Sequence, residues 1–218
     1  LDAAPARRDN RHAGTCGPAA RPASRGATGG DMTYEEASEL VPFTAEIEAA
    51  LVELALSRAP VRLAKLASAA TEDERFDRLP RAAAAAFHLG LYAEARAHAG
   101  ESLALAPRHL AAWNHGNAIH LGNTVLGLLA LRDGPHRHND AVTALLASAD
   151  TPGSPQLVSF GPTMQLAKAL LREGQAIPVL DYLMRCRRFW PAGAVWIEIW
   201  ERKIGAGQVP NFFEHALM

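Results

Sequence analysis

The chain has 218 residues, of which 49% are apolar, 21% charged and 6% aromatic, with a formal net charge of −1. Such a length fits one compact domain or a short repeat array with a tail, and a Leu- and Ala-rich mixture suits helices packed through small side chains better than a β-sandwich, which draws on Val, Ile, Thr and aromatics. A near-neutral chain with no long basic run is a poor match to nucleic acid, whose phosphates demand clustered positive charge.

Residues 1–31 are rich in Gly, Pro, Ala and Arg and almost free of large apolar side chains. Such a segment cannot bury enough surface to offset the entropy of ordering it, so a disordered tail is expected. Two other readings stand beside it: a targeting peptide, because the segment is Arg-rich and acid-poor, and translated upstream sequence that is not native, with Met32 as the start. Thr33 followed by Glu36 is a capping-box pattern that opens a helix. Pro42 should end this first helix and Thr44 cap the next, whose apolar stripe runs through Ile47, Leu51 and Leu54. Pro60 is expected to open a further stretch, and Thr71 with Glu74 repeats the capping box. Pro80 should kink or divide the helix that follows.

Gly90-Leu91-Tyr92 reads as a tight turn, 93–105 as a helix, and Pro107 as its close. The stretch 109–132 reads as one long helix through Leu110, Trp113, Leu121 and Leu128, although Gly116, Gly122 and Gly127 each weigh against it by roughly 1 kcal/mol. A helix is expected at about 139–149, a Pro/Gly/Ser-rich loop at 150–161, a helical hairpin at 162–173 and 176–188, and a last helix at 192–204. Residues 206–218 read as a C-terminal tail. No apolar stretch reaches the ~18–20 residues of a membrane helix, and the N-terminus lacks the apolar core of a secretory signal. Cys16 and Cys186 are expected to stay unpaired, and a cytoplasmic setting follows.

Short connections make neighbouring helices antiparallel, so the expected fold is all-α, built of stacked helix hairpins over residues 32–205. Leu89-Gly90-x-Tyr92-x-x-Ala95 with Pro107, then Leu126-Gly127-x-x-Ala130 with Gly134 and Ala141, then Leu166-Ala167 with Gly174 and Pro191 share a pattern. In that order they resemble degenerate tetratricopeptide (TPR) units over residues 76–191. The resemblance implies a TPR-like α-solenoid with the helix carrying Trp196 and Trp200 as its C-terminal cap. The turn glycines recur at about 40 residues, longer than the ~34 of the family. Gly116-Asn117-Ala118-Ile119-His120, Thr151 to Leu157, Ser159-Phe160-Gly161-Pro162 and Phe189-Trp190 also resemble the C-terminal part of a group of uncharacterised bacterial TPR-like proteins. That likeness implies a fold and no activity.

Asn117, His120, Asn123 and Thr124 recur at spacings of three and four, a polar stripe on one face of an otherwise apolar helix. Buried without partners, each group would cost roughly 1–3 kcal/mol. The stripe is therefore either an internal network that fixes helix register and ties down the 150–161 loop, or a binding surface, with Gln156 and Ser159 as loop partners in both cases. Arg185 and Arg188 lie where positive charge complements a helix C-terminus, or where they could anchor an acidic peptide. His115, His120, His136 and His138 have no accompanying carboxylate motif or Cys pair, so no metal site is assigned. No P-loop, GxSxG, HExxH or strand–helix GxGxxG occurs. The leading expectation is a protein- or peptide-binding scaffold without catalytic activity, cofactor or membrane contact. An enzyme or small-molecule-binding protein with a pocket between the 113–132 helix and the 150–161 loop, using His120 as base, is the second reading. A subunit that only self-associates, as a homodimer for example, is the third.

Overall fold

The computed structural model describes residues 32–218. The expectations for residues 1–31, Cys16 included, lie outside the described residues. Every regular element among the described residues is helical: α1 (Tyr34–Leu40), α2 (Ala45–Ala67), α3 (Glu72–His88), α4 (Tyr92–Leu105), α5 (His115–Arg132), α6 (His138–Ser148), α7 (Pro155–Phe160), α8 (Gln165–Arg172), α9 (Ala176–Cys186) and α10 (Ala194–Gly205). None of them is long and apolar enough to cross a membrane.

The helix starts follow the side chains that satisfy orphan N–H groups. The Thr33 hydroxyl accepts from the Glu36 amide while the Glu36 carboxylate accepts from the Thr33 amide, a complete capping box. Thr44 and Thr71 cap α2 and α3 through the Ile47 and Glu74 amides. Consecutive helices then pack on one another, α2 on α3, α3 on α4, α4 on α5 and α5 on α6, while α9 packs on α6, α8 and α10. Helix α3 can approach its neighbours closely because Ala82 to Ala86 are all buried. The larger core lies towards the C-terminal half, around Leu145, Leu170, Tyr182, Ile197 and Trp200. Cys186 is wholly buried there, and burial pushes its thiol up to about 12, which leaves a small inert core residue.

Four sequence expectations are corrected. Pro60 does not open a helix; α2 runs through it. A proline frees the carbonyl four residues earlier, and both Leu56 and Pro60 are exposed, so water can serve that group. Pro80, by contrast, lies inside the helix expected around it, α3, and the carbonyl of Phe76 four residues before it accepts from the Asn114 side-chain amide at 3.4 Å. The helix expected from 109 begins only at His115, and Leu110 and Trp113 project outward, 72% and 57% exposed. The segment expected as a loop at 150–161 contains α7, with Ser154 as N-cap, Pro155 in the first turn and Gly161 at φ +76° ending it.

The fourth correction concerns 206–218, which is no tail. Asn211, Phe212, His215 and Ala216 are buried. The Glu39 carboxylate, 1% exposed at the side chain, accepts from the Trp200 indole at 2.8 Å, Lys203 Nζ at 2.7 Å, and the amides of Asn211 and Phe212 at 3.1 and 2.9 Å. Phe212 adopts a left-handed conformation, φ 58°, and packs edge-on against Trp200. A non-glycine residue persists there only when its surroundings over-determine it; here the carboxylate and the indole do so.

Glu39→Ala should lower unfolding stability by about 3–5 kcal/mol, because it leaves an indole N–H and two amides without their acceptor and Lys203 without its counter-charge, with only the residue 39 carbonyl still accepting from it. Urea denaturation measures this, and amide exchange at Phe212 should accelerate with it.

Candidate functional site

Helix α5 carries the polar stripe, and its position is set by close packing. A Cβ on Gly116 would come within 2.2 Å of the Gly153 carbonyl oxygen, and Cβ atoms on Gly122 and Gly127 would strike Leu103 and Leu166. The glycines that weaken the helix locally thus let the 151–154 strap and two leucines lie directly on it. Gly116→Ala should destabilise the protein by about 1–3 kcal/mol, since backbone and not a flexible side chain must yield; a thermal melt would show it, and a fall below ~0.5 kcal/mol would mean the strap moves freely.

The buried stripe is paired within the protein. Asn117 donates from Nδ2 to Gln156 Oε1 at 2.8 Å and accepts at Oδ1 from the Ser154 hydroxyl at 3.0 Å. Ser154 in turn accepts from the Leu157 amide at 3.1 Å, so Asn117 is tied to the N-cap of α7. His120 is buried between three segments: Nδ1 donates to the Ser148 carbonyl at 3.2 Å, and Nε2 accepts from the Thr163 amide at 3.0 Å. Those partners fix the Nδ1–H tautomer and occupy both ring nitrogens. Asn123 and Thr124 bond back to the carbonyls of Ile119 and His120 on their own helix, at 2.9 and 2.8 Å.

Burial pushes the His120 imidazole down to about 4. An unfolded histidine charges near 6.5, so neutral His120 contributes stability that is complete above that pH and drains away as pH falls towards 4, about 3 kcal/mol in all. An NMR titration should find the His120 ring neutral at pH 5. His120→Gln should flatten the pH dependence of stability between 6.5 and 4.

Other expected site residues are dispersed. Gln156 stands beside Asn117, but Ser159 is exposed on α7. Arg185 is paired with Asp181 on α9 at 3.0 Å. Arg188 donates to the carbonyls of Arg185 and Ala149, at 3.3 and 3.2 Å. Neither arginine lines the space beside α5.

That space is a groove of two adjoining depressions, about 320 and 220 Å³, which share Arg62, Arg81, Asn117 and Leu121 on their walls. Helices α2 and α3 form one side, α5 the floor, and α7 with residues 161–163 the other side, and Glu214, His215, Leu217 and Met218 also line the larger depression. Phe160, 74% exposed, lines the larger depression and Trp113 the smaller. The side chains that sequence reading missed are Arg58, Arg62 and Arg81, all on the wall of the larger depression. Arg58 and Arg62 are like charges four residues apart on one helix, an arrangement that is mildly destabilising, and that spacing was the available signal. Burial, then the nearby charges of Arg81 and Arg58, lower the proton affinity of Arg62.

No family model, curated protein or solved structure matches this chain.

Proposed function

We propose that the protein is a binding module of TPR-like helix pairs that receives a segment of a partner protein in the groove beside α5. The observation that carries this reading is the groove itself, open to solvent, walled by α2, α3, α5 and α7, with exposed aromatics on each depression. Exposed aromatic side chains beside a polar cleft are the usual anchors of peptide recognition. Consecutive packing from α2 to α6 supports the TPR-like arrangement, as do Gly90 and Gly174, which end their helices at φ +76° and +75°. Asn117, His120 and Gln156 act in this reading as the frame that holds one wall of the groove. The paired nitrogens of His120 speak against its use as a general base, since no lone pair is left to take a proton.

Peptides selected by display against the full chain should lose affinity about fivefold or more when Phe160 or Trp113 is replaced by Ala, both being exposed and cheap to truncate. Affinities measured by fluorescence anisotropy check this. Selected peptides that bind both variants as tightly as the original would place recognition elsewhere.

A further inference from the structure

Three guanidinium groups share one depression, and no carboxylate of the described residues lies within ion-pair distance of Arg58, Arg62 or Arg81. The contrast with the rest of the surface is informative. Arg75, Arg96, Arg137, Arg172, Arg185 and Arg187 all hold carboxylates. Among the described residues the one carboxylate side chain on the wall of this depression, Glu214, accepts from the Tyr34 hydroxyl at 2.8 Å. Among the described residues the only side-chain partner of the three arginines is Gln156, whose Oε1 accepts from Arg81 at 3.3 Å as well as from Asn117. With Oε1 taken, the amide NH₂ of Gln156 is the end left to donate into the groove.

We infer that Arg58, Arg62 and Arg81, with Gln156 beside them, form a binding site for a phosphate monoester dianion. The argument is one of charge and geometry. Like charges on adjoining helices repel, and a fold retains them at a modest loss of stability when a ligand supplies the missing counter-charge. A lone carboxylate has one negative charge and two oxygens, too few for three guanidinium forks. A phosphate monoester carries roughly −1.5 to −2 at neutral pH and three terminal oxygens, one for each arginine. Planar guanidinium is also the group that matches phosphate oxygens bidentately. Burial first, and then the charges of Arg81 and Arg58, lower the proton affinity of Arg62, so an anion bound beside it would offset both. The site rests on the groove reading only for the source of the phosphate, which is either a phosphorylated side chain of the bound segment or a small phosphorylated molecule.

The test titrates the full chain with O-phosphoserine, and with peptide pools centred on phosphoserine or on serine, followed by calorimetry and by the arginine Nε–H resonances. O-phosphoserine should bind saturably, shift the Arg58, Arg62 and Arg81 signals, and raise Tm. Arg62→Gln should weaken it about tenfold or more, as should the exposed pair Arg58→Gln with Arg81→Gln, while the unliganded Tm stays level or rises. Arg96→Gln, outside the groove, should change nothing. Arg58→Lys with Arg81→Lys keeps the charge without the forks and should fall between. Absence of saturable binding, or binding indifferent to the Arg62 and Arg58/Arg81 changes, overturns the site. If the phosphoserine pool binds at least tenfold more tightly than O-phosphoserine, the phosphate belongs to a peptide. Equal affinities keep the phosphate site but overturn the partner-segment reading of the groove.

Discussion

A polar side chain shut away from water must find its partners inside the protein, and helix α5 carries two that dictate what lies against it. Asn117 and His120 are buried, and between them they take hold of Gln156, Ser154, Ser148 and Thr163. Unmade, these bonds would each leave a group costing roughly 1–3 kcal/mol. The chain from the end of α6 to the start of α8 is therefore not free to choose its path. It must present a carbonyl to one ring nitrogen, an amide to the other, and the cap of a short helix to Asn117. The groove wall formed by α7 is a consequence of that pairing.

The opposite wall obeys a different rule. Arg58, Arg62 and Arg81 project from helices whose other faces are packed with alanines and leucines, and among the described residues none of the three has a carboxylate within ion-pair distance. One side of the groove thus spends most of its polar groups on internal hydrogen bonds, while among the described residues the three arginines make a single side-chain bond, Arg81 to Gln156. That asymmetry separates residues that build the space from residues that can act in it. Of the two roles open to the polar stripe of α5, the internal network is the one its hydrogen bonds make, while Asn117 and His120 also line the groove.

What was legible in the sequence followed local rules. Thr33 with Glu36, and Thr71, announce helix starts because capping is a contact over three residues. Apolar spacing placed most helices within a few residues, and Gly90 and Gly174 marked turns. Pro60 misled because a proline's effect depends on whether the carbonyl it frees can be served: Leu56 is exposed to solvent, while beside Pro80 the Phe76 carbonyl has Asn114. Ser154-Pro155 was a helix start hidden in a stretch that composition marks as loop. The packing of 206–218 had no local signal, since Asn211 and Phe212 are held by a carboxylate 172 and 173 residues away. The arginine trio was partly readable as a like-charge pair on α2, but its third member comes from α3, and only the fold brings it there.

The closure made by Glu39 has a consequence for the way the chain is built. Synthesis runs from the N-terminus, so Glu39 emerges from the ribosome long before the amides of Asn211 and Phe212 that it must receive. At ordinary translation rates of ~5–20 residues per second the interval is about 10–30 s. Through that time the carboxylate is hydrated, α1 has no α10 to rest on, and the indoles of Trp196 and Trp200 have yet to appear. The helices from α2 to α6 contact mainly their sequence neighbours and can assemble as they are made. The nascent chain would thus carry a finished middle between two unfinished ends, one held open until the other arrives, and because Glu214, His215, Leu217 and Met218 line the larger depression, the groove is completed only when those residues have docked.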